Sequence, residues 1–397
     1  MSESRDLLPD LERRLRWAER NMPLTMEEIR LLPDLKGVRL ACSIHIEPKV
    51  ASSLEGLLGR GAELFLTTCN PATVRDEVVQ RFEGRGVAAH AWKGMSAPDF
   101  AEAERRALEW GPTHLWETGA NLTVAGSSPG VASSSSRGVR ANAAAPSTVR
   151  ASMESTGSGI SRLRGLAADG RFPPYPVFNC DDVPIKEGLH NRYLVGQTAW
   201  QAFMDRTQLS LHRKRVLVVG YGLVGRGVAL MARSLGGAVS VAEQDPVRAL
   251  EARYDGFLVG TLDDLAGTAD VVVTATGARH VVGARHFARL PDGCFLMNVG
   301  HLGDEIDIAP LGERREVLPF VEEARVAGKT LYLFAGGAMA NLTAGQGDTL
   351  NSFDITMAAM LAGLRYLFSE EASLCPPGLH PLPRSAWEGV ARRAAAG

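Results

Sequence analysis

Between Asp181 and Asn191 the chain reads DDVPIKEGLHN, which gathers carboxylates, an amine (Lys186), an imidazole (His190) and an amide (Asn191). These groups donate, accept or carry protons. A desolvated lysine among them has its charged form disfavoured and can act as a base. A second set follows in VVGYGLVGRG, where Gly220, Gly222 and Gly225 stand in GxGxxG spacing after an apolar strand and at the start of a helix. The first glycine permits a tight turn, the second lets backbone approach a pyrophosphate, and the third allows close helix–strand packing. Leu223 and Val224 would open the helix, whose unpaired N–H groups and positive dipole end suit phosphates. Glu243 closes the next strand, where an acid bonds a ribose 2′-OH and repels a 2′-phosphate. NAD is therefore expected over NADP, with Arg248 near enough to soften the preference. Thr276 in TATG, and Asn298, Gly300 and His301 in NVGHLGDEID, fall at the ends of further strands of the same unit and are expected at the cofactor. A histidine placed so is a proton carrier, a nicotinamide-ribose contact or a structural residue.

The elements that must position these groups follow from the pattern of apolar residues. GVRLACSIHI, AELFLTTCN, THLWETGANLTV, RVLVVG, AVSVAE, ADVVVTATG and CFLMNVG read as buried strands, with helical periods between them. Alternation of this kind predicts an α/β chain: a Rossmann-type NAD domain plus a second α/β substrate domain, each a doubly wound parallel sheet. Residues 1–190 are expected to form the substrate domain and 191–348 the NAD domain. Residues 349–397 would be a C-terminal helix and tail returning to the first. Within the first, the Ser/Ala/Gly-rich stretch 125–147 has no apolar period and reads as a loop. The first helix is expected over 7–22. The 397 residues carry a net charge of −2, which gives no basic field for nucleic acid. The five cysteines are scattered without a CxxC pair, so no metal site is expected. No apolar run is long enough for a membrane span, and the charged start has no signal-peptide core, which predicts a cytoplasmic protein.

Taken in order, these segments resemble the S-adenosylhomocysteine hydrolase family over about residues 35–385. GYGLVGRG resembles that family's GYGDVGKG, VAEQDPVRAL its TEIDPxxAL, and TATG and NVGHLGDEID its TTTG and NIGHFDxEID. DDVPIKEGLHN resembles NDSVTKxxFDN. CSIHI, AWKG, GANLT and GLHPLP resemble CLHMT, AWKGE, GGDLT and GVHxLP. The resemblance implies a tightly held, recycled NAD. It also implies oxidation of a ribose 3′-OH, elimination of the 5′ substituent, addition of water and return of the hydride. It further implies that Lys186 serves the 3′-OH, that Asn191 orients sugar and nicotinamide, and that His45 is the acid/base on the 5′ side. Glu154 in MESTG would grip the ribose, Ser155 and Thr156 would touch NAD, and Asn341 in ANLTAG would be a further cofactor contact. A homo-oligomer is implied as well.

The departures from the family pattern cluster at the substrate end. His190 stands where the family has aspartate, and Asp348 where it has the histidine of GHP. Glu47 and Lys49 alter the adenine-reading HMTxxTA segment, and Thr118 replaces an aspartate of DDGGD. Changing groups that read polar features of a substrate changes the substrate. The sequence thus predicts an enzyme that keeps oxidation and elimination but acts on another nucleoside, such as a dehydratase of nucleoside antibiotic biosynthesis. A divergent hydrolase of S-adenosylhomocysteine, an NAD-binding regulatory pseudoenzyme and a 2-hydroxy-acid dehydrogenase are the alternatives.

Overall fold

The computed structural model describes residues 10–127 and 148–396. The start of the first expected helix and most of the expected loop 125–147 lie outside the described residues. The chain divides into two compact units, one running to Lys186 and resuming at Phe353, the other spanning Glu187–Ser352.

The first unit is built on a sheet of seven parallel strands. From Arg39–Ile44 the sheet grows one way through Glu63–Thr68 to Ala88–Ala89. It grows the other way through His114–Glu117, Ala151–Glu154 and Pro176–Asn179 to Gly378–Pro381. The inner strands are buried along nearly their whole length, as their unbroken apolar runs require of strands covered on both faces. The direction of growth reverses between Arg39–Ile44 and His114–Glu117. At such a switch the loops leaving the carboxyl ends of the strands part and open a crevice. His45, Thr118, Ser155 and Asp181 all follow directly or within two residues of such strand ends.

The second unit repeats the plan. From Arg215–Val219 the sheet grows through Ala238–Ala242 to Leu258–Gly260 on one side, and through Val271–Thr274, Cys294–Asn298 and Lys329–Phe334 on the other. Two antiparallel strands, Val321–Val326 and Arg314–Leu318, extend that second side. Arg314–Leu318 is half-buried to exposed, and Val321–Val326 buries only Val321 and Ala324; neither has a counterpart in the sequence expectation, because they lack the apolar run that marked the others.

Two further local differences have plain causes. The single helix expected over 7–22 is followed at once by another, Leu11–Asn21 and then Pro23–Leu31. Proline at the first helical position disfavours helical geometry in the residue before it, and Met22 is extended away from it at φ −129°, ψ 61°. The start of this second helix is held by Asp354, which accepts from the Leu24 and Thr25 amides at 3.0 and 2.8 Å. The chemistry-rich stretch itself forms a π-helix, Lys186–Leu194, which runs into the helix Val195–Thr207. The wider turn is rare and concentrates at functional sites. Its close approach to the helix Leu223–Ser234 needs Gly227: a Cβ there would run into the carbonyl of Arg192. Among the described residues no helix is long and apolar enough to cross a membrane.

Candidate functional site

In the second unit the glycine turn leaves Arg215–Val219 and feeds the helix Leu223–Ser234. Gly220 sits at φ +93°, where a Cβ would stand 2.7 Å from the Ala275 carbonyl oxygen. A Cβ on Gly225 would overlap the carbonyl of Gly220. Gly222 faces open space, its nearest neighbour being Arg248 Nη1 at 3.6 Å from an ideal Cβ. No side chain caps the N–H groups of Leu223, Val224 and Gly225, so the helix start presents donors and a positive dipole end to an anion. Glu243 is half-buried and turned into this turn. It accepts from the Tyr221 amide at 2.6 Å and from the Gln244 and Asp245 amides at 2.7 and 2.9 Å.

The loops at the ends of Val271–Thr274 and Cys294–Asn298 are tied together by two side chains. Asn298 donates to the Gly300, Leu302 and Gly337 carbonyls at 3.1, 2.7 and 3.1 Å. It accepts from Thr274 Oγ1 and the Gly300 amide at 3.0 and 2.8 Å. Its hydrogen-bonding capacity is thereby spent, and the amide shapes the loop that carries Gly300 and His301 instead of reaching outward. Thr276 is likewise committed: its amide and hydroxyl both donate to Glu305 Oε2 at 2.8 Å. Sequence reading passed over Glu305 although it lies in NVGHLGDEID. It is wholly buried, and burial raises its carboxyl above the ordinary range. Gly300 is needed beside it, since a Cβ there would strike its carboxylate. His301 is half-buried in that loop.

Asn341, at the start of the short helix Ala340–Thr343, is 2% exposed and its Oδ1 has no hydrogen-bond partner. A buried carbonyl of this kind costs free energy unless something donates to it. With the side-chain-free cradle at Gly222, this orphan acceptor fits the amide-bearing cofactor NAD. Removing it with Asn341→Leu is expected to weaken NAD binding by ~1 kcal/mol, about fivefold, the worth of one hydrogen bond. Titration calorimetry with NAD checks this, and unchanged affinity would place the amide elsewhere.

His190 and Asp348 are brought together, with His190 Nε2 2.8 Å from Asp348 Oδ2 and both residues buried. The second carboxylate oxygen of Asp348 accepts from Thr198 Oγ1 at 3.1 Å. Asn191 follows in the π-helix, half-buried.

In the first unit Lys186 is 5% exposed, and its Nζ donates to the Ser155 carbonyl at 2.8 Å and to Asp181. The lysine is desolvated as expected, but an acid neutralises it, so its surroundings are not merely apolar. Asp181 was quoted in the sequence motif without a role. His45 Nδ1 lies 2.8 Å from Thr73 Oγ1, whose single proton goes to the Asn70 carbonyl at 2.8 Å. Nδ1 therefore donates, and Nε2 is the basic nitrogen. Glu47 Oε2 pairs with Lys49 Nζ at 3.1 Å, and that ammonium sits 5.1 Å over the Phe353 ring. Thr118 is buried, its amide bonded to the Ser43 carbonyl at 2.9 Å.

Glu154 is held by the chain's own donors. The amides of Gly119, Ala120 and Thr156 donate to it at 2.8, 2.6 and 2.7 Å, and Thr156 Oγ1 at 3.0 Å. Burial, with Glu117 nearby, raises its carboxyl to about 7. It is enclosed by the chain, and Gly159 is required because a Cβ there would strike it. The next residue, Ser155, holds a buried hydroxyl with no partner. Consecutive residues of a strand face opposite ways, so a one-residue shift decides which side chain meets a ligand. Thr156 is also spent, accepting from the Gly159 amide at 3.1 Å as cap of the helix Gly157–Ala168.

Residues 191–347 match the profile of the S-adenosyl-L-homocysteine hydrolase NAD binding domain, and residues 11–126 that of S-adenosyl-L-homocysteine hydrolase. The chain is 34% identical to an adenosylhomocysteinase of Aeropyrum pernix over 386 residues, 95% of this chain and 89% of that one. It is 34% identical to an adenosylhomocysteinase of Thermococcus kodakarensis over 97% of this chain and 90% of the relative. It is 33% identical to an S-inosyl-L-homocysteine hydrolase of Methanopyrus kandleri over 95% and 88%.

Proposed function

The chain belongs to the S-adenosyl-L-homocysteine hydrolase family, with NAD as its cofactor, and from that premise we propose that it oxidises a sugar hydroxyl of a nucleoside and eliminates the neighbouring substituent, on a substrate other than S-adenosylhomocysteine. Gly220, Gly222, Gly225, Leu223 and Val224 would hold the pyrophosphate, with Arg248 beside it. Glu243 would hold the adenosine ribose, and Asn341 the carboxamide. Bound there, NAD would supply a reversible hydride acceptor, the chemistry by which a hydroxyl carbon becomes a ketone and the neighbouring C–H is acidified. Lys186 takes the hydroxyl proton. His45, with Nε2 basic, exchanges protons with the leaving group. Asn191 and His301 would orient the sugar.

The observation that carries the altered substrate is that its substitutions come in bonded pairs. His190 meets Asp348 at 2.8 Å and Glu47 meets Lys49 at 3.1 Å, each pair buried. Random decay leaves buried charges unpaired, at a cost of several kcal/mol. Paired replacement points instead to a rebuilt pocket, which disfavours a regulatory pseudoenzyme. If the leaving group is a hydroxyl and no water adds back, the net reaction is dehydration to an unsaturated sugar, our preferred reading. The names of the relatives favour a second reading, hydrolysis of a thioether nucleoside.

Mass spectrometry of the products decides between them. The purified protein with NAD is incubated with adenosine, S-adenosylhomocysteine, S-inosylhomocysteine and a hexulose nucleoside. Loss of water from a nucleoside supports dehydration. Release of homocysteine at rates usual for enzymes, roughly 1–10³ per second, sinks it in favour of hydrolysis.

A further inference from the structure

The second unit holds an imidazole backed by a carboxylate. His190 Nε2 lies 2.8 Å from Asp348 Oδ2, both residues are buried, and Asp348 Oδ1 accepts from Thr198 Oγ1 at 3.1 Å. All three residues fall within Glu187–Ser352, as does the glycine turn. The π-helix that carries His190 runs into a helix pressed against Leu223–Ser234, which leaves that turn. A Cβ on Gly227 would lie 3.4 Å from the Asn191 carbonyl oxygen, and one on Gly196 would stand 2.6 Å from the Gly227 carbonyl oxygen. Asp348 arrives in a loop that folds back on Asn341, whose backbone carbonyl accepts from the Gly347 amide at 2.8 Å. Imidazole and acid are thus joined by two segments, one packed on the glycine-turn helix and the other tied to the residue that bears the orphan amide oxygen.

A carboxylate on Nε2 accepts that nitrogen's proton, which puts the lone pair of the neutral ring on Nδ1. The acid also fixes the ring's orientation and offsets its charge once it gains a proton, as the acid of a serine–histidine–acid set does. In the reaction proposed above, Lys186 takes the hydroxyl proton and His45 serves the leaving group, while the hydrogen on the carbon beside the ketone still needs an acceptor. We propose that the His190–Asp348 pair takes that hydrogen as a proton, with His190 the catalytic base and Asp348 the residue that positions it. The role rests on the oxidation and elimination reading given above. In the step, the C–H bond breaks, its electron pair moves into the ketone to give an enolate, and the proton joins His190 Nδ1. The enolate pair then forms the carbon–carbon double bond as the leaving group departs with the electrons of its own bond. The role belongs to the bonded pair, so a carboxylate at 190 backed by an imidazole at 348 would serve the same carbon.

The test uses the NAD-loaded protein in deuterated water with nucleosides that have nothing to expel, 5′-deoxyadenosine and 5′-deoxyinosine. Such a nucleoside is oxidised, exchanges the hydrogen beside its ketone with solvent, and is reduced again. NADH absorbance follows the oxidation, and mass spectrometry of the recovered nucleoside follows the deuterium gained, so the readout is exchange per NADH formed. In His190→Gln, whose amide can still bond Asp348, this ratio is expected to fall by about 10²–10⁴-fold, the contribution of a positioned base. In Asp348→Asn, which keeps the shape and loses the charge, it should fall by about 10²-fold, the lower end of that span. The second variant carries the same test if the first fails to fold. A merely structural role lowers oxidation and exchange together and leaves the ratio in place, and that result in either folded variant overturns the proposal. A wild-type protein that forms NADH without gaining deuterium overturns it as well, with the functional reading intact. A wild-type protein that never reduces its NAD with any nucleoside overturns the functional reading itself, and the role of the pair with it.

Discussion

Lys186→Met reduces the rate of NADH formation on adding nucleoside by about 10²–10⁴-fold, the span that a positioned proton acceptor contributes. The variant keeps the length and apolar stem of lysine and removes only the amine. It should still hold NAD, because the glycine turn, Glu243 and Asn341 all belong to the second unit, while Lys186 closes the first. The substitution has one side effect: it strands the buried Asp181 without its cation, and breaking one side of a buried pair costs roughly 3–5 kcal/mol. Lys186→Met/Asp181→Leu removes both charges and should recover most of that stability while staying inactive. Absorbance of bound NADH after mixing, together with urea unfolding of all three proteins, separates chemistry from folding. Wild-type NADH formation in the single variant would remove Lys186 from the reaction.

Much of the fold was legible because its signals are local. Unbroken apolar strands such as RVLVV and VVVT, alternating with helical periods, announced parallel sheets. The spacing of Gly220, Gly222 and Gly225 announced the nucleotide turn, and Gly220 and Gly225 have a steric reason in the structure. The antiparallel strands Arg314–Leu318 and Val321–Val326 were not legible, since they are mostly polar and bury only Val321 and Ala324, three positions apart, which is not a strand period. The π-helix was hidden for another reason: no composition rule marks a widened turn, and its packing depends on Gly227 more than thirty positions further along. At the site, residue types could be read but their partners could not. Glu154, Thr156, Thr276 and Asn298 are polar and lie in the right loops, yet their hydrogen bonds are spent within the chain. Asp181 and Glu305 stood in quoted motifs and went unassigned, because an acid's role is set by the cation or amides it meets. A period-two strand also makes the choice between Glu154 and Ser155 hinge on a single residue, which sequence spacing alone does not settle.

Exchanging His190 and Asp348 restores what either single change destroys. The two positions carry aspartate and histidine in the family pattern and histidine and aspartate here, and the structure bonds them at 2.8 Å. The residue types at the two positions are thus transposed, and in this chain they are bonded. His190→Asp alone sets two carboxylates against each other in a site where both residues are less than a tenth exposed, and like charges so placed cannot both stay ionised. Asp348→His alone opposes two imidazoles and leaves the Thr198 hydroxyl without its carboxylate acceptor. Each single variant is expected to lose about 10²-fold or more in kcat/KM and to unfold at lower urea concentration. The double variant His190→Asp/Asp348→His re-forms the pair in the family's order and should return to within about tenfold of the wild type. The loss that remains belongs to Thr198, which then faces an imidazole. The coupling between the two sites, from a double-mutant cycle, should reach roughly 2–3 kcal/mol, the upper range for residues in direct contact. The exchange also probes substrate choice, because it moves the acid from the loop after Ala340–Thr343 to the π-helix beside Asn191. If the double variant gains release of homocysteine from S-adenosylhomocysteine while losing the native reaction, the transposition is part of what set the substrate apart. If the two losses simply add, the residues act independently, and the hydrogen bond between them has no part in the reaction.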